Sequence, residues 1–154
     1  MAYSSNPGRP NTQNRAANYN PTPTSKKLTI SFTDDTYVNE AEAVIQEMKQ
    51  VSFREARDTL TMSQLRNLAS LTSNIYDEVQ NNDVAQVSDK LAYLRVQFVY
   101  QSGRNAAVKK LVELADILNI LKTMQAKNDR AIIIRFCRYM EALVAYFKYY
   151  GGKD

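Results

Sequence analysis

Residues 130–150, RAIIIRFCRYMEALVAYFKYY, carry apolar side chains on two adjacent helical stripes. Within each stripe the residues recur every three or four positions, the spacing that places side chains on one face of an α-helix. The first stripe comprises Ile132, Phe136, Tyr139, Leu143, Tyr146 and Tyr150, and the second comprises Ile133, Cys137, Met140, Val144 and Phe147. Because two stripes together are too wide for one partner helix, the pattern predicts a helix that is mostly buried.

A narrow cationic strip remains on the same helix. It carries Arg135, Arg138 and Lys148, with the small residues Ala142 and Ala145 between them. Charged side chains are seldom fully buried without a partner, so this strip is expected to face solvent or another molecule. What the strip contacts is the main functional question that the sequence raises.

Four further helices are predicted upstream from the same periodicity. They span about residues 38–48, 61–79, 84–102 and 105–126. Thr61 or Ser63, Asn105 and Asp129 are suitable N-caps, because their side-chain oxygens can accept a hydrogen bond from an otherwise unpaired backbone N–H group. Residues 51–60 carry a weaker pattern. The short connections predict an all-α fold, a five-helix bundle.

The helix at residues 84–102 is predicted to be central in this bundle. Its main apolar stripe comprises Val87, Leu91, Leu94 and Phe98, and further apolar residues, Tyr93, Val96, Val99 and Tyr100, cover much of the remaining surface. Gly103 is expected to end this helix in a left-handed turn, since glycine adopts a positive φ at little cost.

The N-terminal segment differs from the rest in composition. Residues 1–36 are rich in Asn, Pro, Ser and Thr and contain few large aliphatic residues. Such a segment buries too little apolar surface to offset its ordering entropy, so it is predicted to be a disordered polar tail preceding a helical domain at residues 37–154. A short strand-like alternation, KLTISF at residues 27–32, lies within it. The sequence also predicts no secretory signal, no membrane span and a cytoplasmic location.

The composition argues against catalysis. The chain has no histidine and one cysteine, Cys137, which lies in an apolar stripe and is predicted to be a buried structural thiol. This removes the commonest general base and the usual zinc ligands. The carboxylate pairs Asp34–Asp35 and Glu40–Glu42 have no inward-facing acidic partners one helical turn away, so no metal site and no cofactor is predicted. With 20 basic and 16 acidic residues, the net charge of +4 is too small to bind a polyanion by bulk field alone.

Further candidate contacts are isolated cations at helix ends or among apolar residues. Arg66 lies in the first turn of its helix, Arg95 is flanked by apolar residues, and Arg104 directly follows Gly103. Arginine near free backbone N–H groups is a reasonable phosphate contact, although a solvated or salt-bridged arginine is the simpler explanation for any one of them. Lys109 and Lys110 are weaker candidates at the start of the next helix.

Three segments resemble one protein family. They are LTMSQLRN at residues 60–67, YLRVQFVYQSGR at residues 93–104 and FCRYMEALVAYFKYY at residues 136–150. In this order they resemble the small helical subunit of type III-A CRISPR–Cas (Csm) effector complexes, over about three-fifths of the chain.

The resemblance implies a non-catalytic subunit of an antiviral ribonucleoprotein. Several copies are expected to stack head-to-tail beside the other Csm subunits and to line the channel that holds guide RNA and target RNA. An RNA–RNA duplex is recognised by shape and backbone, which calls for cations spaced along a surface. The RNA-binding residues expected on this basis are Arg66, Arg95, Arg104, Arg135, Arg138 and Lys148.

Two alternatives remain open from the sequence. In the first, the chain is a free-standing helical adaptor or homodimer whose arginine strip pairs with carboxylates of a protein partner. In the second, it is an enzyme that uses carboxylate-bound magnesium. RNA binding that weakens steeply with salt separates the first alternative from an RNA-contacting subunit. Metal-dependent nuclease activity of the purified chain would identify the second.

Overall fold

The computed structural model describes residues 26–81 and 87–154, and its architecture is all-α. The described elements are α1 (Tyr37–Gln50), β1 (Arg54–Glu55), β2 (Asp58–Thr59), α2 (Met62–Asn81), α3 (Ser88–Arg104), α4 (Ala106–Leu114), α5 (Ile117–Lys127) and α6 (Arg130–Tyr149). The all-α prediction is confirmed, but the prediction of five helices is wrong, since the described residues contain six.

Helix α6 is the centre of the bundle, as its two apolar stripes predicted. It packs against both α1 and α2. Residues from both stripes are buried, among them Phe136, Tyr139 and Leu143 from the first and Ile133 and Phe147 from the second. The two adjacent apolar stripes therefore allow α6 to pack against more than one neighbouring helix.

Helices α3, α4 and α5 form the second half of the structure. Helix α3 packs against both α4 and α5. The ring of Phe98 on α3 meets the ring of Phe136 on α6 edge-on, at 6.3 Å between ring centroids. The buried apolar residues of all six helices thus form one continuous core.

The helix predicted over residues 105–126 is interrupted at its middle. Helix α4 ends at Leu114 and α5 begins at Ile117, with Asp116 in a left-handed conformation at φ 56°. The carbonyl oxygen of Ala115 accepts a hydrogen bond, 3.1 Å long, from the buried hydroxyl of Tyr139. A partner on α6 therefore satisfies a carbonyl at the break, which is why this helix can bend without Gly or Pro.

Three predicted caps are confirmed. The side chain of Asn105 accepts from Val108 N at 3.0 Å, and that of Asp129 accepts from Ala131 N at 2.9 Å. Thr61 and Gln64 form a reciprocal capping box at the start of α2, in which each side chain accepts from the other's backbone N–H group.

The glycine expected to end α3 does not do so. Gly103 lies inside α3 with no positive φ, and α3 ends at Arg104. The left-handed glycine is instead Gly151, at φ 90°, directly after α6. There the N–H of Gly151 bonds to Lys148 O at 3.2 Å and the N–H of Gly152 bonds to Phe147 O at 2.7 Å, the pattern of a Schellman motif.

Residues 51–60 form a small antiparallel hairpin rather than a helix. Arg54 pairs with Thr59 and Glu55 pairs with Asp58. A carboxylate oxygen of Asp58 accepts from the backbone N–H of Ala106 at 2.7 Å, which joins the hairpin to the start of α4.

Residues 26–36 pack on the bundle, whereas the sequence placed them in a disordered tail. Leu28, Ile30 and Phe32 contact the core, and the ring of Phe32 meets that of Tyr139 at 5.4 Å. The carboxylate of Glu40 accepts from the backbone N–H groups of Ser31 and Phe32. The alternation in residues 27–32 provides one apolar face, which is enough for this segment to be held along α1 and α6. Residues 1–25 lie outside the described part of the chain.

Candidate nucleic-acid interface

The six predicted RNA-binding residues lie on three helices. Arg66 is on α2, Arg95 and Arg104 are on α3, and the other three are on α6. Four of the side chains are exposed, namely those of Arg66, Arg104, Arg138 and Lys148, while those of Arg95 and Arg135 are half-buried. The exposed four are sterically available to a ligand, and the other two need separate consideration.

Arg135 is held by the chain itself. Its Nε donates to Oδ1 of Asp34 at 2.8 Å, and its Nη1 donates to the carbonyl oxygen of Phe32 at 3.0 Å. The guanidinium also lies 5.5 Å from the centroid of the Phe32 ring. We call this set of contacts, made by Arg135 with Phe32 and Asp34, the Arg135 clamp. With only 16% of its side chain exposed, Arg135 serves to fasten residues 26–36 to α6.

The clamp also changes the electrostatics of Asp34. The hydrogen bond and the charge of Arg135 lower the pKa of the Asp34 carboxyl, and the positive charge of Arg138 contributes in the same direction. Arg138 is therefore close enough to Asp34 to interact with it, although its own side chain is exposed.

Arg138 and Lys148 mark the outer edge of α6. They are ten residues apart, so they are separated by about 15 Å along the helix axis at about 1.5 Å per residue. The residues between them on this side include Glu141 and Ala145, both exposed. The edge is thus a broken cationic strip with one acidic residue, suited to a few separate phosphate contacts.

Arg104 borders a polar pocket at the end of α3. The pocket has a volume of about 520 Å³ and is lined mainly by amide side chains from α2, α3 and the α3–α4 connection. The Arg104 guanidinium lies 5.6 Å from the centroid of the exposed Tyr100 ring. Gln64, which also lines the pocket, was not among the residues predicted from the sequence. The T-x-x-Q capping pattern that begins at Thr61 was the signal that could have pointed to it.

The prediction that α3 is central is wrong. Its outer face is exposed and apolar, with Tyr93 65%, Val96 59%, Val99 52% and Tyr100 61% exposed. Leu91, Leu94, Phe98 and Ser102 pack inward, where α3 contacts α2, α4 and α5, and the opposite face of α3 is left uncovered. We call the four exposed residues the α3 apolar face. Apolar residues concentrated on one exposed face are typical of a protein-binding surface.

The half-buried Arg95 flanks this face rather than the core. Being flanked by apolar residues in the sequence therefore does not place Arg95 in the core. Lys110 is bound by Glu55 of the hairpin, at 2.6 Å between Nζ and Oε2. Lys109 is exposed and lines a shallow groove of about 240 Å³ that begins at Val99 of the α3 apolar face.

Three of the four acidic residues considered as metal ligands, Asp34, Glu40 and Glu42, have structural partners. Glu40 accepts from the 26–36 segment, as described above, and Glu42 accepts from the hydroxyl of Tyr150 at 2.6 Å. Residues 26–81 and 87–154 contain no group of three or more His, Cys, Asp or Glu side chains placed to bind a metal ion. None of the helices in these ranges is long and apolar enough to cross a bilayer.

Cys137 is confirmed as a buried thiol. Its sulfur contacts the carbonyl oxygen of Thr72 at 3.6 Å. Burial raises the pKa of the thiol to about 12, and the negative charges of Glu141 and Asp77 act in the same direction. A thiol in this environment is protonated at neutral pH and is a poor nucleophile.

Comparison with known proteins identifies the class to which this fold and surface belong. The family described as Csm2 Type III-A matches residues 38–153. The chain is 49% identical over 123 residues to the CRISPR system Cms protein Csm2 of Streptococcus thermophilus, which covers 80% of this chain and 98% of that protein. It is 43% identical over 129 residues to the Csm2 protein of Mycobacterium tuberculosis, an alignment that covers 81% of this chain and 99% of that protein. It is 37% identical over 127 residues to the Csm2 protein of Enterococcus italicus, an alignment that covers 76% of this chain and 91% of that protein.

The chain therefore belongs to the Csm2 family of type III-A CRISPR–Cas systems. This confirms the resemblance to the small helical subunit of Csm effector complexes. The matched range includes every predicted RNA-binding residue and all of α2 to α6.

Proposed function

We propose that this chain is a non-catalytic structural subunit of a type III-A CRISPR ribonucleoprotein in antiviral defence. Several copies stack beside the other Csm subunits and line the channel that holds guide RNA and target RNA. The observation that carries the proposal is membership of the Csm2 family over residues 38–153. The exposure of Arg66, Arg104, Arg138 and Lys148 supports it, because these cations are accessible to phosphates.

The electrostatics favour weak contacts made by many copies. A chain with a net charge of +4 and separate exposed cations makes few phosphate contacts on its own. Stacked copies bound to one RNA multiply such contacts through their high effective concentration. The α3 apolar face supports the protein-contacting half of the proposal, since a neighbouring subunit would remove Tyr93, Val96 and Val99 from water.

The decisive experiment uses the assembled complex and a labelled target RNA. The double variant Arg138→Glu, Lys148→Glu reverses both exposed cations of α6, so target-RNA affinity is expected to fall. The logarithmic salt dependence is expected to become shallower by about 0.7–0.9 for each phosphate that is no longer neutralised. Arg135 is left intact, because its reversal would break the Arg135 clamp and confuse a folding defect with weaker RNA binding.

A matched control is Lys122→Glu, which reverses an exposed charge on α5. It is expected to leave affinity and salt slope unchanged. If complexes that contain the double variant assemble normally and bind target RNA with the affinity and salt slope of the parent, α6 does not contribute to the RNA channel.

The α3 apolar face also favours a second candidate function, a free-standing adaptor or homodimer without RNA binding. Such a protein would present this face to a protein partner and leave its arginines to pair with carboxylates. Purification of the tagged chain from its native host separates the two functions. Co-purifying guide RNA, released only by ribonuclease treatment, supports the ribonucleoprotein subunit, and its absence with a stable protein partner supports the adaptor.

A further inference from the structure

The polar pocket between α2 and α3 is unusual in the balance of its hydrogen-bonding groups. Its polar lining consists of Ser63, Gln64 and Asn67 from α2, Gln101 and Arg104 from α3, and Asn105 from the α3–α4 connection. Among the described residues that line it, none carries a carboxylate. We call this site, defined by these six residues, the amide pocket.

Two of the amides have already used their oxygen atoms. Oε1 of Gln64 accepts from Thr61 N at 3.0 Å, and Oδ1 of Asn105 accepts from Val108 N at 3.0 Å. One lone pair of each oxygen is therefore committed, while each –NH₂ group still carries two donors. With the five donors of the Arg104 guanidinium, the side chains of the pocket supply more hydrogen-bond donors than acceptors, and every acceptor among them is neutral.

A donor-rich, carboxylate-free pocket fits a ligand that is anionic and rich in oxygen acceptors. The phosphate and base carbonyl groups of a nucleotide are such acceptors, and arginine binds phosphate through its planar fork. The volume of about 520 Å³ lies within the range of about 300–1,000 Å³ that small-molecule sites occupy.

The rim of the pocket adds a stacking surface. Tyr100 is 61% exposed, and the guanidinium of Arg104 lies beside its ring. Unpaired RNA bases stack on aromatic rings and guanidinium planes of this kind. Donors inside the pocket and a stacking surface at its rim together match a nucleotide better than a bare anion.

We propose that the amide pocket binds one nucleotide of an RNA strand, with Arg104 and the side-chain amides donating to its phosphate and carbonyl oxygens and Tyr100 contacting its base. This inference rests on the proposed RNA-contacting function and assigns that function a specific site away from the α6 edge.

The first test observes the wild-type full chain by NMR. Side-chain amide signals of uniformly ¹⁵N-labelled protein are followed while a single-stranded oligouridylate of about ten nucleotides, within the usual range of single-strand site sizes, is added. The side-chain signals of Gln64, Asn67, Gln101 and Asn105 are expected to shift and saturate together, while that of Asn74, exposed on α2 outside the pocket, stays in place.

The outcomes of this titration separate the pocket from the wider function. If signals near Arg138 and Lys148 shift while the pocket amides do not, the pocket assignment is wrong and RNA contact through α6 stands. If no signal shifts, the pocket assignment is likewise overturned, and the assembled-complex experiment alone decides the proposed function. Equal shifts with inorganic phosphate at the same concentration would also overturn it, because the site would then bind any small anion.

The second test places a carboxylate in the pocket without changing its shape. Asn67→Asp is expected to weaken oligouridylate binding by about tenfold or more, the factor that one charge-assisted hydrogen bond carries. Asn74→Asp introduces the same charge on the same helix and is expected to bind as the parent does. Both residues are exposed, so both variants should fold, and equal affinities for the two would refute the proposal.

Discussion

Replacing Gly152 with alanine should destabilise the bundle, because no space exists for a methyl group there. A Cβ at this position would lie 2.3 Å from Cε1, 2.4 Å from Cδ1 and 2.5 Å from Cζ of Phe147. The Phe147 ring is fully buried and packs edge-on against Phe53 at 4.9 Å between ring centroids. The N–H of Gly152 is also bonded to the carbonyl of Phe147, so backbone and ring are held together.

The expected cost follows from the rigidity of this contact. The ring cannot move away without disturbing Phe53, and inserting a methyl group into a packed core costs about 1–3 kcal/mol. For a chain of this size each kcal/mol corresponds to roughly 2–4 °C in melting temperature. Urea unfolding followed by far-UV circular dichroism should show a lower midpoint at an unchanged m-value.

Gly103→Ala is the matched control, because it adds the same methyl group where nothing lies within 4 Å. Gly103 is helical, so alanine is expected to stabilise the chain by about 0.5–1 kcal/mol. The two substitutions should therefore shift the midpoint in opposite directions. A Gly152→Ala midpoint equal to or above that of the parent would show that the contact with Phe147 is not tight.

Three further predictions concern single polar groups. The negative charge of Asp34 should stabilise the Arg135 clamp above the ordinary carboxyl pKa of 3.8, and this stabilisation should be lost as the pH falls through the lowered pKa of the folded state. Asp34→Asn should therefore flatten the loss of stability at acid pH and speed hydrogen exchange in residues 26–36. Tyr139→Phe leaves the Ala115 carbonyl without its hydroxyl partner and should cost about 1–3 kcal/mol in urea unfolding. Cys137 should resist iodoacetamide at neutral pH in the native chain and react once the chain is unfolded in urea, as followed by mass spectrometry.

Each of these predictions has an internal comparison. Asp35→Asn removes a neighbouring charge outside the clamp and should leave hydrogen exchange in residues 26–36 unchanged. Tyr149→Phe removes a hydroxyl from a side chain that is 78% exposed and should be neutral. Alkylation of native Cys137 at the rate of a free peptide thiol would contradict the burial that raises its pKa.

The parts of the fold that depend on local sequence could be predicted. The two stripes of α6 follow from the helical period alone, and the caps at Asn105 and Asp129 need only a side chain and a backbone N–H two or three residues away. The break between α4 and α5 could not be predicted in this way. Its backbone contains neither Gly nor Pro, and the hydroxyl that satisfies the Ala115 carbonyl comes from Tyr139, which belongs to another helix.

In the candidate site too, features set by local sequence could be predicted and contacts between distant residues could not. The exposure of Arg138 and Lys148 follows from their place on the polar side of α6. The clamp on Arg135 depends on Asp34, more than a hundred residues earlier in the chain, and no local signal marks that pairing. The α3 apolar face was assigned to the core because periodicity reports apolar surface but not whether a neighbouring helix covers it.

The position of α6 between α1 and α2 has a consequence for biosynthesis. About 50 residues separate the end of α2 from the start of α6, which takes roughly 2–10 s to translate at about 5–20 residues per second. During that interval the apolar stripes of α1 and α2 have left the ribosome without the helix that covers them. Until α6 is synthesised these stripes stay exposed to solvent, so the nascent chain is expected to be prone to aggregation during this interval.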